Sequence, residues 1–116
     1  MANTTRNQYR PHANLAARRH DPERRRQALA DAFAVAHFLK EETGARVYGI
    51  GSLFDPDRPF GSLSDIDLVV EGVPKRDYFD VSGRAQELTD ITLDIIPLED
   101  ANDLIREIVR ERGVPL

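Results

Sequence analysis

The chain has 116 residues, 41% hydrophobic and 31% charged, with no Cys and no Trp, a composition that suits one small domain. The missing cysteines exclude a disulfide scaffold, a thiolate zinc site, an iron–sulfur cluster and Cys nucleophile chemistry, and His12, His20 and His37 are too scattered for a His-rich metal site. The net charge of −4 hides an asymmetry: residues 1–26 hold seven Arg (6, 10, 18, 19, 24, 25 and 26) against Asp21 and Glu23, which is +5, while the remainder carries 9 basic and 18 acidic side chains, which is −9.

The first 20 residues read as a basic arm ahead of a domain over 21–116. Asn, Thr, Gln and Arg around residues 3–10 favour an unanchored end over a nucleic-acid contact. No apolar stretch resembles a signal peptide, and the longest apolar run, 32–36, falls far below the ~20 residues of a membrane span. A cytoplasmic protein without membrane contact is the expectation.

Asp21-Pro22 opens a helix, with Asp21 as cap and Pro22 at the first helical position. Ala28, Leu29, Ala32, Phe33, Val35, Ala36 and Leu39 then recur at helical spacing and Gly44 stops it, which predicts a helix over 22–42. Residues 46–51 (RVYGIG) read as a strand bounded by Gly. The Pro-, Gly- and Ser-containing stretch 52–64 is a loop that opens with a helical turn at Ser52. Residues 65–71 (DIDLVVE) are the most strand-like run, with Asp65, Asp67 and Val69 on one face and Ile66, Leu68 and Val70 on the other.

A helix is expected from Val73 to about Leu88, weakened by Ser82-Gly83. Residues 91–97 (ITLDIIP) form a third strand, with Asp94 beside Thr92 and Ile96 on one face. A last helix runs from about Asp100, read as its cap, to Arg112. It is expected to bury Leu104, Ile105, Ile108 and Val109, and to end at Gly113 and Pro115.

Three features carry chemistry: Gly51-Ser52 at a strand end, Asp65-x-Asp67 at the next strand's start, and Asp94 in an apolar strand. A strand core has no ordinary use for Asp, because an unpartnered buried carboxylate costs several kcal/mol or is forced neutral. Carboxylates gathered at adjacent strand ends repel one another unless a cation sits between them. Oxygen-only ligands suit Mg²⁺ or Mn²⁺, and two such ions about 3.5–4 Å apart can clamp the attacking and leaving oxygens of a phosphoryl or nucleotidyl transfer. Gly51 permits close backbone approach to a phosphate, and Ser52 adds a hydroxyl and an N–H.

Gly51-Ser52, twelve intervening residues, Asp65-x-Asp67 and then Asp94 in a later strand together resemble the nucleotidyltransferase superfamily of DNA polymerase β and kanamycin nucleotidyltransferase. Residues 26–116, including the endings 93–101 (LDIIPLEDA) and 112–116 (RGVPL), resemble more closely the minimal nucleotidyltransferase (MNT) domains of prokaryotes. The resemblance implies an α/β (α+β) palm: a small mixed sheet, helices packed on one face, carboxylates at one end. It implies that Asp65, Asp67 and Asp94 hold two Mg²⁺ ions, that Asp94 also helps to take the proton from the incoming hydroxyl, and that Gly51 and Ser52 hold the phosphates of ATP.

MNT domains commonly act as antitoxins that transfer AMP from ATP to a tyrosine of a HEPN ribonuclease toxin, so the implied partner is a HEPN-type toxin. The small size agrees, since a drug-modifying relative needs a second helical domain for its acceptor. The alternative is an inactive nucleotidyltransferase fold that neutralises its partner by binding alone. Nucleic-acid binding through the Arg-rich arm rests on composition only. Arg58 and the Lys75-Arg76 pair read equally as phosphate contacts or as solvated loop positions.

Overall fold

The computed structural model describes residues 19–116. The basic arm read at 1–20 therefore lies, up to residue 18, outside the described residues. In chain order the elements are α1 (Pro22–Thr43), β1 (Arg46–Ile50), a 3₁₀ turn (Ser52–Phe54), β2 (Ile66–Glu71), α2 (Lys75–Gln86), β3 (Leu93–Pro97), a second 3₁₀ turn (Leu98–Asp100), α3 (Asp103–Arg112) and β4 (Val114–Pro115). The sheet runs β3-β2-β1-β4, with β1 antiparallel to β2 and β4, and β2 parallel to β3. It is a small mixed sheet with helices packed against it.

Local codes set α1. The Asp21 carboxylate accepts from the Arg24 N–H at 3.1 Å, Pro22 opens the first turn, and Gly44 at φ 72° closes the helix with its N–H on the Lys40 carbonyl. Its apolar stripe, Ala28, Ala32, Val35, Ala36 and Leu39, packs on Val47, Ile66, Leu68, Val70, Leu93 and Ile95 from the sheet, with Val81 and Ala85 of α2 completing the core. At about 25 cal/mol per Å² of apolar area, this shared face is the chief favourable term. The Tyr78 hydroxyl donates to the Ile95 carbonyl and Gln86 Nε2 donates to the Leu93 carbonyl at 2.9 Å, so α2 also holds β3 through its backbone.

The C-terminal region departs from expectation. Helix α3 begins at Asp103, capped by Asn102, whose Oδ1 accepts from the Ile105 N–H at 2.9 Å. Asp100 lies instead in the preceding 3₁₀ turn, 3.8 Å from Lys75 Nζ. No α3 residue is fully buried: Ile105, Ile108 and Val109 are half-buried and Leu104 is 67% exposed. After Gly113 the chain does not simply stop. Val114 and Pro115 pair with Gly49 and Tyr48, and the Leu116 N–H donates to the Val47 carbonyl at 2.9 Å, adding a fourth strand where three are expected.

Candidate functional site

The strand register brings the predicted carboxylates together. Asp67 lies opposite Ile50 of β1 and, across the parallel pair, beside Asp94 of β3, while Asp65 precedes β2 by one residue. Ile66, Leu68 and Val70 point into the core, so the alternation predicted for 65–71 holds and turns Asp67 to the opposite face. The expected apolar burial is a different matter. Asp65 and Asp94 are exposed and only Asp67 is half-buried, so the desolvation argument applies to Asp67 alone. Asp94 sits on an edge strand, where an acidic side chain needs no special reason. What distinguishes it is its place beside Asp67.

Electrostatics couple the three. The Asp67 carboxyl is pushed from 3.8 up to about 6, first by burial, then by the negative charges of Asp94 and Asp65, with Arg58 acting in the opposite direction. Among the described residues no salt bridge reaches any of the three. This is a cluster with unmet demand for positive charge, and its all-oxygen chemistry fits a hard divalent cation. Among the described residues no three His, Cys, Asp or Glu side chains form a set that holds a metal by itself. A cation here would therefore need further ligands from substrate and water, which is how Mg²⁺ is ordinarily bound.

Gly51 is required twice over. Its φ of 84° lies in the left-handed region, and a Cβ there would stand 2.9 Å from Asp67 Oδ2. A side chain at 51 would therefore require the Asp67 carboxylate to shift. Gly49, one pleat earlier, has the Phe54 ring packed where its Cβ would be. Ser52 does begin a helical turn, as expected, but the turn has three residues, so no helix dipole favours an anion there. Any phosphate contact at Ser52 rests on its hydroxyl and backbone.

The loop behind Gly51-Ser52 is tied to the first turn of α1. Arg25 donates to four carbonyls: Ser52 at 2.7 Å, Leu53 at 3.2 Å, Asp55 at 2.7 Å and Arg58 at 3.0 Å. Arg24 reaches Gly61 O at 2.8 Å and Ser64 O at 3.3 Å, with its guanidinium over the Phe60 ring. His20 Nδ1 accepts from the Phe60 N–H at 3.1 Å. In the sequence both arginines stand out only through the +5 charge of residues 1–26. The signal was their place in the first turn of a capped helix, but the partners lie 27 to 40 residues away. Lys75 pairs with Asp100 across the surface and His37 is exposed.

A cavity of about 490 Å³ opens between the 51–58 segment and α3, with Gly51, Phe54, Asp55, Arg58, Ile108 and Arg112 among its lining residues; none of the three aspartates lines it, and Gly51 is the link between the two. Among the described residues no helix is long and apolar enough to cross a membrane.

No protein-family model matches the sequence, and no curated protein matches it. Solved structures do match. A mutant of the toxin–antitoxin complex of MntA with its toxin aligns at a TM-score of 0.60 and 15% identity, over 72% of this chain and 70% of that one. The MntA–HepT complex aligns at 0.55 and 15% identity, over 75% and 69%. The tri-AMPylated Shewanella oneidensis HEPN toxin in complex with MNT antitoxin aligns at 0.56 and 15% identity, over 76% and 70%. At such identities the likeness concerns the fold, and the fold of this chain is that of an MNT-type nucleotidyltransferase-like domain.

Proposed function

We propose that the chain is the antitoxin of a HEPN-type toxin and silences it by transferring AMP from ATP to a toxin tyrosine. The observation that carries this reading is the pairing of Asp67 with Asp94 across β2 and β3, beside Asp65 and against the Gly51 backbone. The fold likeness to an MNT antitoxin bound to an AMPylated HEPN toxin supports it. So does a mutant of the MntA complex in which two aspartates separated by a single intervening residue are changed to glutamate, the spacing of Asp65 and Asp67.

Asp65, Asp67 and Asp94 would hold Mg²⁺, or Mn²⁺, as one or two ions, which when bound supply positive charge to the triphosphate and relieve the repulsion between the carboxylates. Gly51 and Ser52 bind the phosphates, the Gly51 backbone by close approach. The tyrosine oxygen forms a bond to the α-phosphorus as the bond to pyrophosphate breaks, and the phenolic proton passes to the Asp94 carboxylate, which its exposure on β3 leaves open to an incoming acceptor. Incubation with a HEPN partner, Mg²⁺ and labelled ATP is expected to label the partner. A stable complex without label would eliminate the transfer.

Binding-only neutralisation is the second reading, favoured by the absence of a self-sufficient metal-holding set among the described residues. Asp65→Ala/Asp67→Ala separates the two. Transfer is expected to fall by at least ~10³-fold and protection of cells from the toxin to disappear with it. Protection that survives the double substitution would make binding sufficient.

A further inference from the structure

We propose that Tyr78 and Gln86 of α2 are positioning residues for Asp94: by bonding the β3 carbonyls on either side of it, they hold the sheet's edge strand where its carboxylate stands beside Asp67. What the placement does for AMP transfer rests on the nucleotidyltransferase reading above; the placement itself does not.

The two carboxylates that pair across β2 and β3 are held unequally. Asp67 lies on a strand with a neighbour on each side, β1 and β3, whereas Asp94 lies on β3, whose one strand neighbour among the described residues is β2. An edge strand leaves every second backbone unit without a ladder partner and frays before the strands inside the sheet. One bond sets the parity. The Thr92 carbonyl accepts from the Ile66 N–H at 2.9 Å, so the backbone of Thr92, Asp94 and Ile96 faces β2 and that of Leu93 and Ile95 faces the open edge.

Those two open carbonyls are the ones that α2 takes. Gln86 Nε2 donates to the Leu93 carbonyl at 2.9 Å and the Tyr78 hydroxyl donates to the Ile95 carbonyl. The Leu93 carbonyl belongs to the peptide that carries the Asp94 N–H, so Gln86 bonds the plane from which Asp94 departs. Val81 and Ala85, between the two donors on α2, are buried in the core and fix the helix that carries them. Side chains thus occupy the place that a further strand would take, and Pro97, with no N–H, closes the row.

The test uses the full chain, with Mn²⁺ alone and Mn²⁺ beside a non-hydrolysable ATP analogue as titrants followed by electron spin resonance. Tyr78→Phe/Gln86→Met removes both donors at nearly constant volume and is expected to weaken Mn²⁺ about tenfold, the usual cost of losing the outer partners of a ligand. Tyr78→Phe alone, which loses only a hydroxyl, is expected to give about a threefold loss and keeps the test decisive should the double variant fail to fold. Gln86→Lys, which keeps a donor, is expected to stay within about twofold of the wild type. Lys40→Met is the control for stability alone. It removes a bond of the same kind, from Lys40 Nζ to the Leu116 carbonyl at 2.8 Å, beside β4 at the opposite edge of the sheet, and is expected to leave Mn²⁺ affinity at the wild-type value. In the labelling assay the double variant should lose kcat about tenfold at an unchanged KM for ATP.

Mn²⁺ affinity at the wild-type value in Tyr78→Phe and in the double variant would overturn the assignment, as would an equal loss in Lys40→Met, or a wild type that takes up Mn²⁺ under neither condition. A loss of Mn²⁺ affinity in these variants, with no label reaching a HEPN partner even from the wild type, keeps the placement and removes the transferase reading. Labelling at the wild-type kcat in the double variant does the reverse.

Discussion

The first turn of α1 and the last turn of α3 both approach the segment that follows Gly51, and they use arginine in opposite ways. Arg25 is saturated: its guanidinium meets four backbone carbonyls and fixes the course of 52–58. Arg112 lines a cavity and has no ion-pair partner among the described residues. A guanidinium bonded to four carbonyls holds the course of a loop, and one on a cavity wall without an ion pair is left open to another contact. Composition cannot separate them, since both are surface arginines on helices.

Removing the saturated arginine should give the largest effect on stability. Arg25→Gln can satisfy at most two of the four carbonyls, and is expected to cost about 2–3 kcal/mol, or ~10–20 °C in melting temperature. Amide exchange of the 52–58 segment should rise more than that of the α1–β2 core. Arg25→Lys should recover part of the loss, because an ammonium reaches some of these acceptors without the planar fork. Unchanged exchange in 52–58 would put Arg25 on the same footing as an exposed arginine and erase the contrast.

Gly51→Ala tests the junction of the two regions. The residue holds φ 84° and has Asp67 Oδ2 2.9 Å from its missing Cβ. An L side chain there is expected to cost about 1–2 kcal/mol in left-handed strain alone, and to push the Asp67 carboxylate away from the backbone. Its effect on transfer should exceed its effect on stability. The measurement is thermal melting beside the labelling assay, and a variant that labels its partner at the wild-type rate would detach the Gly51–Asp67 contact from the chemistry.

How much of this was legible follows the range of the interactions. Helix α1 was readable almost to the residue, because Asp21-Pro22 and Gly44 are local codes. So was the facing of 65–71, because strand alternation is local too. Strand β4 was hidden: two residues, one of them Pro, pair only because β1 offers a free edge. The start of α3 was misplaced at Asp100 because Asn102 and Asp100 are both acceptable caps, and the 3₁₀ turn at 98–100 decides between them. Among the aspartates, alternation gave the facing of Asp67 that the sheet shows, yet burial of Asp94 does not follow from its apolar neighbours. Those neighbours, Leu93 and Ile95, point to the core, and Asp94 itself points out. Arg58 is a candidate contact already in the sequence, but the cavity that it lines together with Arg112 is purely tertiary.

The smallest effect expected is also the one with a reversed sign. In the stapled region every substitution weakens the fold, but among the carboxylates the folded state works against itself. Asp67 has its carboxyl pushed from 3.8 up to about 6, so the folded chain binds that proton more tightly than the unfolded one. The resulting stability is present below about pH 4 and is lost as pH rises through about 6. At neutral pH, in metal-free buffer, the ionised group is a burden, reduced but not abolished by solvent around a half-buried side chain. Asp67→Asn is therefore expected to melt about 2–4 °C above the wild type at pH 7.5 in EDTA, with the gap closing toward pH 4. Added Mg²⁺ should raise the wild type and leave the variant where it was. A variant that melts below the wild type in EDTA at pH 7.5 would mean that the carboxylates do not repel, and the demand for a cation would go with them.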